Sequence, residues 1–251
     1  MAEHDSGDFA EGMVMTWAGG VRVLAGPAGV RAAEIARWQP ERTETPPDLG
    51  AMTILVSGGA AAERHLRQAL TELREYFAGE RISFTVALDP PGTDFYRAAW
   101  DEVARVPYGV TRSYAEIARA IGAPAAVRAV GAANGANPVA PFVPCHRIVG
   151  SDGRLTGYGP GLPLKARLLA MEGATPRSSG DYDHWVATLD ARYAHCGADS
   201  VVLGARGTRQ YCAPGCARSR ARWQTPARIF TSAAAAEEAG YLPCPACGGA
   251  L

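Results

Sequence analysis

Four cysteines near the C-terminus constrain this chain more than any other feature. Cys212 and Cys216 form a C-x3-C pair, and Cys244 and Cys247 a C-x2-C pair. Each short spacing puts two sulfurs on one turn of backbone, and two such turns give a tetrahedral set of soft ligands. That donor set selects zinc over magnesium or calcium. Residues 1–12 are acidic and polar and contain no apolar secretory core. Metal is therefore the expected use of these thiols rather than disulfides, and the expected compartment is the cytoplasm. On spacing alone, a purely structural zinc site and a reactive one both stay open.

The same stretch is basic. Residues 200–236 contain no acidic side chain and six arginines, Arg206, Arg209, Arg218, Arg220, Arg222 and Arg228. A polyanionic partner would explain this, and so would a solvated basic face. The whole chain is neutral, with 25 basic and 25 acidic residues, and Lys165 is its only lysine. Arginine suits planar, bidentate phosphate contacts. A hydrophobic content of 47% against 20% charged residues excludes wholesale disorder. No run reaches the ~18 apolar residues of a membrane helix, so no membrane partner is expected.

Residues 1–12 read as a flexible tail. Residues 13–90 read as an α/β unit, with short apolar strands at 21–24 and 53–56 and a helix over 61–77 that turns Leu66, Leu70, Leu73 and Phe77 to one face. A helix is expected over 95–106, with Phe95, Ala99, Val103 and Val106 inward beside Trp100. Ser113 caps a second helix over 114–121, and Glu116 completes a capping box. Gly122-Ala123-Pro124 turns the chain into a third helix over 125–133, giving a helix-turn-helix. That third helix is built almost wholly of small residues around one long side chain, Arg128. Tight packing and close insertion into a DNA groove would both use such a surface. Turn-rich residues 175–180 are the expected linker to a zinc unit over 181–251, which holds an amphipathic helix over 182–193. Cys196 reads as a buried thiol.

Cys145 ends an apolar run, Pro-Val-Ala-Pro-Phe-Val-Pro, and is followed by His146 and Arg147. A buried structural cysteine is the ordinary role in such a run. The adjacent base and the rigid Pro144 argue instead for a nucleophilic thiolate in a partly desolvated pocket.

Residues 92–174 resemble the O6-alkylguanine-DNA alkyltransferases, also called methylated-DNA–protein-cysteine methyltransferases. The resemblance rests on Ser113-Tyr114, Arg128-Ala129-Val130-Gly131, Asn137-Pro138, Pro144-Cys145-His146-Arg147, Gly157-Tyr158 and the run from Leu168 to Gly173. It implies a mainly α helix-turn-helix domain over 91–174, preceded by the α/β unit. It implies a monomer that binds double-stranded DNA in the minor groove and flips out the alkylated base. Arg128 would fill the gap left by the base, with Tyr114, Ala129 and Arg147 also at the DNA. Cys145 would accept the alkyl group from O6-alkylguanine, and by extension from O4-alkylthymine. His146 would take the thiol proton through a water, Glu172 would orient His146, and Asn137 would hold the turn. Pro144, Tyr158 and Gly159 would line the alkyl pocket. The reaction would be irreversible, with one turnover per molecule. Where some relatives carry a serine, this chain has Gly159.

Residues 185–247 resemble the metal-binding methyl-acceptor domain of the bacterial Ada proteins, through Gln210-Tyr211-Cys212, Pro214, Cys216 and the run 239–244. The resemblance implies one zinc ion on Cys212, Cys216, Cys244 and Cys247. It further implies that Cys212 accepts methyl from methylphosphotriesters, with Arg218 and Arg220 on the DNA backbone. Between the first two ligands this chain has Ala213-Pro214-Gly215 rather than Arg-Pro-Ser, and the zinc unit follows the alkyltransferase unit instead of preceding it. No transcription-activating unit is expected after the linker. The competing expectation is a damage sensor whose zinc unit only anchors DNA.

Overall fold

A computed structural model describes residues 8–35, 50–56, 58–174, 202–205, 207–212, 216, 227–230 and 233–247. The expected linker, the helix over 182–193, Cys196, Arg218, Arg220 and residues 213–215 lie outside these residues.

The N-terminal unit starts earlier than its composition suggests. Strand β1 (Ala10–Thr16) takes in the last residues of the stretch read as a tail. It alternates buried and half-buried residues, the period-two pattern of a strand with one covered face. It pairs antiparallel with β2 (Gly19–Gly26), which pairs in turn with β3 (Gly29–Ile35). Strand β4 (Met52–Val56) closes the sheet in the order β3-β2-β1-β4. Helix α1 (Ala60–Phe77) lies on this sheet and buries Leu66, Leu70, Leu73, Tyr76 and Phe77.

The sheet's free edge is not left unpaired. The Ala33 N–H donates to the Pro138 carbonyl at 2.7 Å, and Val30 bridges Leu88. Edge strand β3 thus grips the chain just ahead of Cys145. One continuous core runs from the sheet through α1 into the helical unit.

That unit contains α2 (Asp94–Ala104), α3 (Tyr114–Ala120), α4 (Val127–Gly135) and α5 (Leu162–Glu172). Helix α2 stops short of Val106 because that residue precedes Pro107, which disfavours a helical backbone. Ser113 caps α3 with the full capping box to Glu116. Helix α4 starts at Val127, since Ala126 closes a turn onto the Ala123 carbonyl at 2.8 Å. Two short parallel strands, β5 (Arg112–Ser113) and β6 (Ile148–Val149), pair Arg112 with Ile148 and Ser113 with Val149. Tyr114 directly follows β5, and the 3-10 turn Cys145–Arg147 directly precedes β6. This pairing sets Tyr114 beside the cysteine turn.

The C-terminal unit is a four-stranded sheet in the order β10-β8-β7-β9. Its strands are β7 (Val202–Ala205), β8 (Gln210–Cys212), β9 (Ala227–Phe230) and β10 (Leu242–Pro243), with helix α6 (Ala233–Glu238). Among the described residues its buried apolar cluster is Val202, Tyr211, Phe230, Ala236 and Tyr241. No helix among the described residues is long and apolar enough to cross a membrane.

Candidate active site and metal centre

Three local devices hold the Cys145 turn. Asn137 spans the preceding loop: its side-chain amide donates to the Val143 carbonyl at 2.8 Å, and its oxygen accepts from the Val139 N–H at 3.1 Å. Asn134, on α4, donates to the Cys145 carbonyl at 3.3 Å. Lys165, on α5, donates to the carbonyls of Ile148 at 2.5 Å and Thr156 at 2.7 Å. Every residue from 141 to 149 is buried, and Cys145 keeps 5% of its surface exposed.

Beside the thiol lies a buried relay. His146 Nε2 stands 2.9 Å from Glu172 Oε1, and both side chains are fully shielded from solvent. His146 Nδ1 meets no hydrogen-bond partner among the described residues, so it is the ring nitrogen left to take a proton. Burial pushes the imidazole below its usual value. The Glu172 carboxylate pulls it back up, and the Arg147 and Lys165 cations oppose that pull. The net direction favours the neutral imidazole. Glu172 is itself held at about 2: burial works against ionisation, but His146 and Arg147 outweigh it.

Burial raises the Cys145 thiol, while Asn137 and the Lys165 ammonium lower it. The thiol is not ionised by its surroundings alone, so a base is needed. Lys165 is brought down to about 8 by burial, against the pull of Cys145. Tyr114 is half-buried, and its hydroxyl lies 3.5 Å from the Thr156 carbonyl. The Tyr158 ring stands 6.4 Å from His146, and its buried hydroxyl finds no partner among the described residues. Gly159 is exposed, and a Cβ there would touch nothing within 4 Å. On α4, Arg128, Ala129, Ala132 and Gly135 are exposed and form a face of small residues around one cation.

Residues 94–174 match the family described as 6-O-methylguanine DNA methyltransferase, DNA binding domain, and residues 185–248 match the metal binding domain of Ada. A methylated-DNA–protein-cysteine methyltransferase of Mycobacterium bovis is 50% identical over 135 residues, 54% of this chain and 73% of its own. The chain belongs to the methylated-DNA–protein-cysteine methyltransferase family. The methyltransferase of that name in Methanosarcina acetivorans is 52% identical over 112 residues, 45% of this chain and 72% of its own. The crystal structure of Mycobacterium tuberculosis OGT in complex with DNA matches with a TM-score of 0.51 at 41% identity. It covers 64% of this chain and 90% of that one.

In this methyltransferase one expectation from the sequence is overturned. Arg147, expected at the DNA, is buried. Its guanidinium donates to both oxygens of Glu172, at 2.9 and 2.8 Å, and to the Val106 carbonyl at 2.6 Å. A bidentate pair with a buried carboxylate holds an arginine inside far more firmly than a solvated phosphate contact could draw it out. Sequence reasoning also missed Lys165, Asn134 and Tyr76 in this cluster. Lys165 carried one signal, as the only lysine among 24 arginines. Gly109 was missed as well. Its φ of 75° and the Glu172 carbonyl, 2.8 Å from where a Cβ would sit, require glycine.

In the C-terminal unit the sulfurs of Cys212, Cys216, Cys244 and Cys247 all lie within 4.8 Å of one another. Cys212 and Cys244 are buried, Cys216 and Cys247 half-exposed. Sulfurs at ~2.3 Å from a shared tetrahedral centre fall within that spacing, so the four residues fit zinc. The Cys244 thiol lies at about 7: burial opposes ionisation, but the Ala246 N–H and the neighbouring cysteines outweigh it. Tyr211, just before Cys212, is anchored by its hydroxyl to Glu237 at 2.7 Å.

Proposed function

We propose that this chain repairs DNA by moving an alkyl group from O6 of guanine to the sulfur of Cys145. The observation that carries this reading is the buried Glu172–His146 pair, which leaves Nδ1 of the imidazole without a partner among the described residues, on the residue that follows a thiol pushed up by burial. His146 takes the thiol proton, and the Cys145 thiolate attacks the alkyl carbon. The carbon–sulfur bond forms as the carbon–O6 bond breaks, and the electron pair stays on the guanine oxygen. Tyr114 donates to the leaving base. The thioether product is stable, so each molecule reacts once. A binding module without transfer is not favoured, because the chain carries Cys145, His146 and Glu172 together and its relatives are methyltransferases.

The substrate base must leave the stack to reach so buried a sulfur. Helices α3 and α4 would act as a helix-turn-helix whose second helix lies in the minor groove. The small face of α4 permits close approach, and Arg128 takes the place of the extruded base, with Tyr114 and Ala129 beside the DNA. Pro144, Tyr158 and Gly159 would border the alkyl pocket. Asn137 holds the reactive turn. The reacting species would be a monomer working in the cytoplasm, on alkylguanine and by the same chemistry on O4-alkylthymine. Its working divisions would be the α/β unit to residue 90, the alkyltransferase unit to 174 and the zinc unit from 181.

In the C-terminal unit Cys212, Cys216, Cys244 and Cys247 would hold one zinc ion, which when bound keeps their sulfurs as thiolates. Cys212 would then take a methyl group from a methylphosphotriester, leaving an ordinary phosphodiester. Four thiolates on a dication carry a formal charge of about −2, and one methylation makes it about −1. Repulsion from DNA phosphates would fall, with arginines such as Arg218 and Arg220 holding the backbone. Peptide mapping by mass spectrometry tests both sites. O6-methylguanine duplex should add a methyl to the Cys145 peptide, and methylphosphotriester DNA to the Cys212 peptide. A methyl on Cys216, or on neither peptide, contradicts the assignment.

A further inference from the structure

Tyr76 lies in the last turn of α1, in the N-terminal unit where the sequence offered no chemistry. Its side chain is fully buried, with Phe77, Phe84 and Tyr108 around the ring at centroid distances of 5.3, 5.0 and 6.3 Å. Phenylalanine would satisfy this packing, and a buried hydroxyl is costly unless it is bonded. The Tyr76 hydroxyl donates to Glu172 Oε1 at 2.7 Å and lies 3.4 Å from His146 Nε2. The same oxygen faces His146 Nε2 at 2.9 Å and Arg147 Nη2 at 2.8 Å, while Oε2 accepts from Arg147 Nε and from the Gly109 N–H. Three donors thus converge on Oε1. One of them comes from a different unit of the protein.

We propose that Tyr76 is a positioning residue of the transfer reaction, holding Glu172 Oε1 against His146 Nε2 so that Nδ1 is the nitrogen that receives the thiol proton. This rests on the reading of Cys145 as acceptor. Among the described residues, the groups facing the imidazole are Glu172 and Lys165 from α5, Arg147 from its own turn, Tyr158 from the following loop and Tyr76 from α1, and Cys145 precedes it in the chain. Of these, the Tyr76 hydroxyl can be deleted without changing a charge or reshaping the pocket. As a third donor on Oε1 it competes with the imidazole N–H for the carboxylate's charge. It therefore keeps the imidazole less basic than Glu172 alone would make it, and the ring stays unprotonated at neutral pH.

The test is Tyr76→Phe in the full-length, zinc-loaded protein. Nitrogen-15 NMR of the imidazoles is recorded across pH, with the His146 signal assigned by its loss in His146→Gln. The wild type should show the Nε2–H tautomer near neutral pH, and Tyr76→Phe should raise the His146 midpoint by about half to one unit. The pH at which single-turnover methyl transfer reaches half its maximum should move up by the same amount. In a Glu172→Gln background, Tyr76→Phe should add no shift. Phe84→Leu, which loosens the same aromatic box without touching the carboxylate, should lower the melting temperature and leave the midpoint in place. An unmoved His146 midpoint in Tyr76→Phe overturns the proposal. So does a rate reduced by one factor at every pH, a shift that survives in Glu172→Gln, or an equal shift in Phe84→Leu. The imidazole measurement needs no DNA. Failure there is thus distinct from failure of wild-type Cys145 to gain a methyl, which would overturn the functional reading.

Discussion

At the scale of single residues the site depends on one carboxylate. Glu172 is buried and accepts from His146, Arg147, Tyr76 and the Gly109 backbone. Arg147 neutralises it, so under the proposed mechanism a proton taken from Cys145 would stay on the imidazole rather than pass to Glu172. Arg147→Met should therefore destabilise the fold by about 3–5 kcal/mol, the usual cost of stripping one partner from a buried ion pair. Urea unfolding measures this, and a loss below ~1 kcal/mol would show that the pair is not shielded as described. The same group gives a pH dependence. The folded-state value of Glu172, about 2, lies below the ordinary 4.5, so its contribution is fully present above 4.5 and is lost as pH falls toward 2. His146, lowered from 6.5, acts in the same sense: its contribution is present above 6.5 and is lost as pH falls through its depressed value. Melting temperature should fall steadily from pH 6.5 into the acid range, and a flat profile between 6.5 and 3 would contradict the buried pair.

At the scale of elements, α4 separates two uses of small residues. Val130 and Ala133 face the core, whereas Ala129 and Ala132 face solvent. Ala129→Leu should change folding stability by no more than ~0.5 kcal/mol but weaken binding to duplex DNA at least tenfold by holding the helix off the groove. Fluorescence anisotropy reads the affinity, and unchanged binding would place the DNA elsewhere. The sequence was informative where periodicity or capping acts locally. The apolar stripe of α1 and the Ser113–Glu116 box correspond to helices whose ends differ from expectation by a residue or two. It was silent where the cause is tertiary. Strands β1 and β3 were not individually legible, because glycine and alanine dilute their alternation. Arg147 reads in sequence like any basic residue beside a motif, and only the fold brings Glu172 to it. Tyr76 falls outside the apolar stripe read for α1, and nothing local reveals that its hydroxyl meets a carboxylate 96 positions further along the chain.

At the scale of the whole molecule, two cysteine centres share one chain but differ in what holds them. Cys145 is supported by a continuous core that joins the N-terminal sheet to the helical unit. Among the described residues the four C-terminal cysteines are backed by a smaller apolar cluster, and a metal gathering their four sulfurs should supply much of that unit's stability. Strong chelation should abolish the C-terminal unit's contribution to the circular dichroism spectrum and any methyl transfer to Cys212. Transfer to Cys145 should persist, and its equal loss would mean that the two units fold as one. The most direct measurement is the intact mass of the protein after reaction with an excess of duplex carrying a single O6-methylguanine. The wild type should gain one methyl per chain and no more, the DNA should lose it, and Cys145→Ser should gain none. Undiminished transfer in Cys145→Ser, or a wild type that leaves the DNA methylated, would contradict the assignment of this sulfur as the acceptor.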